Sequence, residues 1–193
     1  MQDALYRDGS AAAKEAADMM AVAVDGYLRD QDLQQLRVSD VVFSDSTVAL
    51  LLGRSARGES CKTGRDQGVV LDEPFSYVVL KRRTEGRAAK SKVFAISWPE
   101  YRRWWYWAAK QVTGSSSGAG PPHSARHTGA SRDLSEGYRT LEEVMKRGRW
   151  KSLNSVHRYA KPHIWYACLA SLSAAEKEKG NAILATRGAR PAR

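Results

Sequence analysis

Residues 121–134 read PPHSARHTGASRDL and set two of the chain's four histidines, His123 and His127, around Arg126. Upstream, GSSSGAGPP breaks the helical pattern as a linker, and the quoted stretch opens the next helix. Three chemistries fit it. His123 and His127 are spaced for one helical face, as zinc ligands are, but no Glu stands between them and no third ligand lies near in sequence. Polar decoration of an ordinary helix start is the plain alternative. An imidazole and a guanidinium three positions apart, beside the free N–H groups and positive dipole of a helix start, suit a phosphate. A lone His-x-x-Arg is common by chance, so its partners elsewhere in the chain decide.

The 193 residues, 42% of them hydrophobic, fit one domain of ordinary size with a real core. Thirty-one basic residues against 21 acidic ones give a formal charge of +10, which favours a polyanionic partner, either nucleic acid or an anionic surface. The membrane reading is the weaker one, because no apolar run approaches the roughly 20 residues needed to span a bilayer. The opening MQDALYRDGSAAAKEAADMM carries early acids and no apolar h-region, so it is no signal peptide. Cys61 and Cys168 lack the number and spacing of a disulfide framework or zinc site and read as free thiols in a reducing compartment.

The fold class expected is mainly α with a small antiparallel β-sheet. Helical spacing covers residues 11–28 and DQDLQQL. β-branched, apolar composition then predicts a small antiparallel sheet between about residues 38 and 82, with FSYVVLKRR continuing it and RSARGES as a mobile hairpin loop. KRRTEGRAAKSK reads as a solvated basic connector. SWPEYRRWWYWAAKQV starts a helix, with Ser97 and Glu100 in capping-box spacing and Pro99 in the first turn. Its Trp98, Trp104, Trp105 and Trp107 are expected in the core rather than stacked on bases. Further helices are expected over 124–136, from Thr140 to Gly148, from Ser152 to Lys161, and as one amphipathic helix along HIWYACLASLSAAEKEK. Residues 1–14 read as a tail, 15–173 as the domain, and 174–193 as a helix end followed by a basic disordered tail.

The partners of the opening stretch lie in three other places. GYLRDQDLQQLRVSD supplies Gly26, Arg29, Asp32, Leu36 and Asp40; CKTGRDQGVVL sets Lys62 at a β-turn before a strand; GRWKSLNSVHRY sets Tyr159 nine positions after Trp150. With HSAR, these elements resemble the tyrosine recombinase (phage integrase) family in order and separation, over about residues 15–165. The segment from His123 to Lys161 is similar to the Cre-like branch, where Trp stands nine before the tyrosine. The resemblance implies the catalytic-domain fold of DNA breaking–rejoining enzymes and double-stranded DNA as partner, bound by a homo-oligomer, a tetramer. It also implies no metal, cofactor, membrane or small-molecule substrate. It makes Arg29 and Arg126 the phosphate-binding guanidiniums, His123 a phosphate or proton-transfer partner, Lys62 the general acid and Trp150 an indole N–H donor. Tyr159 becomes the nucleophile and Asp32 a supporting carboxylate that orients His123 or Arg29. Two departures stand out: Asp32 occupies a position where Glu is commoner, and the family's N-terminal DNA-clamping domain is absent, which suggests a fragment.

Each residue also has a plainer reading. Arg29 is then a surface ion pair with Asp32 or Asp25, His123 a helix cap, Lys62 a solvated turn lysine beside Arg65, and Trp150 core. Tyr166 lies sixteen positions beyond Trp150 and is rejected as nucleophile; His127 and His157 read as bystanders. Arg82, Arg83, Arg132 and Lys151 are DNA-phosphate candidates within a wider basic set that includes Lys81, Arg87, Lys90, Lys92, Arg139, Lys146 and Arg147. The rival functions are a DNA-binding remnant without recombination and a type IB topoisomerase. The compartment expected is the cytoplasm of a bacterial or viral host, or a eukaryotic nucleus.

Overall fold

The computed structural model describes residues 1–60, 64, 66–116, 119–159 and 161–186; the side chains of Arg158, Tyr159 and Pro162 lie outside that description. The element order is α1 (Gln2–Asp8), α2 (Ala11–Gly26), α3 (Asp30–Gln35), β1 (Val41–Phe43), β2 (Val48–Leu52), β3 (Gln67–Leu71), α4 (Pro74–Thr84), α5 (Trp98–Thr113), α6 (Ser124–Ser135), α7 (Leu141–Gly148), α8 (Leu153–Tyr159), α9 (Pro162–Ser171) and α10 (Ala174–Ala185). Helices therefore dominate, beside one antiparallel sheet of order β1-β2-β3, as the sequence predicts. No helix among the described residues is long and apolar enough to cross a membrane.

Alternation in β2 buries Val48, Leu50 and Leu52, and β3 answers with Val69 and Leu71, in a register that pairs Val48 with Leu71 and Leu50 with Val69. This buried face packs with the central α2, whose Ala16, Ala17, Met19, Met20 and Val22 are also buried. From α5 the core receives Tyr101, Trp105 and Ala108, with Trp98, Trp104 and Trp107 half-buried against it. Of the tryptophan cluster, Trp105 lies in the core, as expected, and the other three pack against it. Ser97 caps α5 by accepting the Glu100 N–H, and Trp105 Nε1 donates to the Gly120 carbonyl at 2.9 Å.

Four expectations are corrected. Residues 1–14 are not a tail: α1 forms, Leu5 is fully buried, and Gln2 donates to the Ala17 carbonyl at 3.0 Å. FSYVVLKRR is helix α4, not strand. Pro74 at its first turn has no N–H for a ladder and a backbone preset for a helix, and buried Ser76, Val79 and Leu80 share one helical face. Arg82 and Arg83 in its last turn both bind the buried Asp18 of α2, at 2.7 and 2.6 Å. The C-terminal amphipathic stretch is two helices, because Ser173 and Glu176 form a capping box that restarts the chain after extended Leu172. The RSARGES loop carries a short 3-10 turn, Ser55–Arg57, and is pinned by Arg57, which donates bidentately to Asp40 at 2.8 and 2.7 Å and pairs with Glu59. Those two carboxylates raise the Arg57 guanidinium above its ordinary pKa. Of the expected disordered tail ATRGARPAR, Ala185 ends α10 and Thr186 caps it, while residues 187–193 lie outside the described residues.

One contact positions the rest. At Gly129 of α6 a Cβ would overlap the Val24 carbonyl of α2 and lie 2.8 Å from a Tyr27 ring carbon, so only glycine lets the two helices cross this closely. Gly129→Ala is expected to destabilise the fold by about 1–3 kcal/mol or more, as overpacking does, and urea unfolding should show a lower midpoint with an unchanged slope.

Candidate active site

The end of α2 begins the site. Tyr27 takes a left-handed conformation (φ 47°), its N–H bonded to the Ala23 carbonyl, and turns the chain into Arg29, whose extended backbone precedes α3. The Arg29 N–H donates to Asp32 Oδ2 at 2.9 Å, closing this turn. Tyr27 is held from the far side: its hydroxyl donates to the buried Asp133 of α6, which also binds Arg139. Arg139 bridges onward to Asp72, and Arg147 donates from Nε to the Asp25 carbonyl at 2.9 Å while lying 5.5 Å from the Tyr27 ring centre. Burial first, and then the Asp133 charge, push the Tyr27 phenol well above its ordinary pKa.

Arg126 lies one helical turn before Gly129. Its guanidinium is buried, donates to the backbone carbonyls of Tyr27 and Gly148, and stacks on Trp150 with 4.3 Å to the ring centre. One side chain thus joins the turn carrying Arg29 to the turn carrying Trp150. Gly148 ends its helix, as expected, and Arg149 after it takes the left-handed cap (φ 55°). Glycine is needed at 148 for another reason, because a Cβ there would overlap the Trp150 ring. Trp150, Tyr27, Ala130, Val144 and Val156 form a second small core, and Val156 fixes α8 one turn before Tyr159.

The structure thus gathers Arg29, Asp32, Arg126 and Trp150. His123 is exposed at the start of α6, its ring edge-on to His127 at 5.1 Å. Tyr159 ends α8, with its side chain outside the description, and Lys62 lies outside the described residues altogether. The stem below Lys62 is fixed: the Asp66 N–H reaches the Gly53 carbonyl at 2.8 Å, and Gln31 of α3 donates to the Ser60 carbonyl at 3.1 Å. Tyr166 is 55% exposed and donates to the Ser135 carbonyl at 2.6 Å. Among the described residues no three His, Cys, Asp or Glu side chains gather as a metal site.

The basic residues divide. Lys151 is exposed, whereas Arg82 and Arg83 are engaged by Asp18, and Arg132 by Glu73 at 2.7 Å and Asp133. Arg139 and Arg147, read from sequence as part of the phosphate-neutralising set, are instead buried ion-pair partners inside the fold, with side chains 2% and 8% exposed. Sequence reading missed their role, and those of Tyr27, Asp133 and Arg149. The one local signal was an arginine wedged between Gly148 and Trp150; the others pair across long stretches of chain.

The sequence profile of the Phage integrase family matches residues 3–164. The chain belongs to this family. Among solved structures, integrase-family likeness extends to the Tn1549 transposon integrase in complex with a circular intermediate DNA, at 16% identity and TM-score 0.56, covering 79% of this chain and 56% of that one. It extends also to the XerH site-specific recombinase bound to difH substrate (16%, TM-score 0.55, 91% and 48%) and to the XerA recombinase (15%, TM-score 0.51, 93% and 64%). At such identities the likeness is one of fold. The chain spans about half the length of the first two. No curated protein matches it.

The Tyr27 anchor yields a pH dependence with a definite sign. An unfolded tyrosine ionises near pH 10, whereas folded Tyr27 stays neutral beyond that, so its contribution is present below about pH 10 and is lost as pH rises further. Unfolding free energy is expected to fall above about pH 10, less steeply in Tyr27→Phe, and tyrosinate absorbance should show a class of phenols ionising only on unfolding.

Proposed function

We propose that this chain is the catalytic part of a site-specific DNA recombinase, which cuts and rejoins double-stranded DNA through a 3′-phosphotyrosine at Tyr159. The observation that carries this reading is the joining of the Arg29 turn to the Trp150 turn by Arg126. The chain's net charge of +10 supports a polyanionic substrate, and the Tn1549 integrase in complex with a circular intermediate DNA and XerH bound to difH substrate support DNA as that substrate.

In this mechanism the Tyr159 phenol oxygen attacks phosphorus, the bond from phosphorus to the 5′-oxygen breaks, and Lys62 donates a proton to the leaving oxygen. The guanidiniums of Arg29 and Arg126 stabilise the negative charge that grows on the non-bridging oxygens, since they are always protonated and present paired donors. His123, at the exposed start of α6, takes the phenol proton or bonds the phosphate. Trp150 offers its indole N–H and seals the pocket floor. A 5′-hydroxyl of another strand reverses the step, so bond energy is conserved and neither metal nor cofactor enters. The working assembly implied is a homo-tetramer on DNA, with Lys151 and other exposed lysines meeting the backbone.

A nicked suicide duplex enriched from a randomised pool tests the reading on denaturing gels. The unaltered chain is expected to form a covalent protein–DNA adduct and Tyr159→Phe none. Arg126→Lys should lower the adduct rate by about 100-fold or more, the scale of losing one transition-state donor. Salt-sensitive binding without any adduct would instead identify a DNA-binding remnant.

A further inference from the structure

Arg149 is a third arginine in this pocket, between Gly148 and Trp150, and the reaction above does not use it. Its side chain is 5% exposed, and its Nη2 donates at 2.6 Å to Asp32 Oδ2, the same oxygen that accepts the Arg29 N–H at 2.9 Å. Fold stability alone does not account for it. Arg149 sits at φ 55°, a left-handed backbone that residues with a side chain adopt rarely, and its Nε and Nη1 are buried without hydrogen-bond partners. Glycine would relieve the strain, and a smaller side chain would leave no unsatisfied donors.

We propose that Arg149 is a positioning residue for phosphate attack, acting through Asp32; the proposal rests on the recombinase reading above. Asp32 is a buried carboxylate in the same turn as Arg29. Uncompensated, it draws the Arg29 guanidinium away from the substrate phosphate and opposes the negative charge that grows there, since little solvent screens a buried charge. Arg149 supplies the compensating cation from the Trp150 side. It also adds a second brace between the two turns that Arg126 already joins, so the Arg29 turn keeps one tie when Arg149 is removed.

The test uses the full chain and the enriched suicide duplex, reading adduct rate at saturating DNA, DNA affinity and thermal midpoint for Arg149→Gly, Asp32→Asn and their combination. Arg149→Gly is expected to fold and to bind DNA like the unaltered chain, while its adduct rate falls about 10- to 100-fold, the range for removing an outer partner of a reacting group. Adding Asp32→Asn should restore the rate to that of Asp32→Asn alone, because the uncompensated charge is then gone; read well below the thermal midpoint of every variant, a merely structural role predicts no loss of rate to restore. If Arg149→Gly does not fold, Arg149→Met, which keeps most of the side-chain volume, is measured in its place. An unchanged rate in the Arg149 variant, or a loss that Asp32→Asn does not restore, overturns the proposal and leaves the recombinase reading standing. Absence of an adduct from the unaltered chain overturns both.

Discussion

Where α6 crosses the end of α2, Gly129 lets one helix rest on the backbone of the other, and the site follows from that contact. Arg126, one turn earlier on α6, reaches the Tyr27 carbonyl only because the helices are this close. Tyr27 in turn sets the direction in which the chain leaves α2 toward Arg29. A wider crossing would move Arg126 off the turn that carries Arg29. The tie between that turn and α6 is thus a packing result, decided by a residue with no side chain.

The second constraint is electrostatic. Asp18, Asp25, Asp32, Asp40 and Asp133 are all buried, and each is met by arginine. Removing either partner of such a pair strands a charge away from water, which costs far more than the intact pair contributes. These pairs join helices and strands far apart in sequence. Arg139 and Arg147 hold Asp72, just after β3, beside the ends of α2 and α6, and Arg82 and Arg83 bind α4 to α2.

Elements whose ends are marked by local chemistry were legible in the sequence. Ser97 and Thr140 cap their helices as their spacing suggests, and the alternation in β2 gives its buried face directly. The order of Arg29, His123, Arg126, Trp150 and Tyr159 pointed to the family that the profile match establishes. Reading failed where two local signals conflict. In α4, paired valines favour a strand, but Pro74 and the Asp18 pairing of Arg82 and Arg83 favour a helix, and tertiary contact decides. The restart at Ser173 was masked by apolar residues on both sides. Buried roles for Arg139, Arg147 and Arg149 could not be read locally, since their carboxylate partners include residues 67, 122 and 117 positions away. An arginine in a basic protein looks the same on paper whether it faces DNA or an aspartate.

Among the described residues, arginine and not lysine enters the interior. Every described lysine is exposed, whereas Arg139, Arg147 and Arg149, which pair with buried aspartates, are withdrawn from solvent. The lysines can therefore be acetylated as a class without touching a buried ion pair, which strips positive field from the surface and leaves the scaffold in place. Arginine-directed dicarbonyl reagents would label Arg7, Arg82 and Arg103 in the folded chain but reach Arg139, Arg147 and Arg149 only as the fold opens, so uptake at those three positions would report on unfolding instead of on charge.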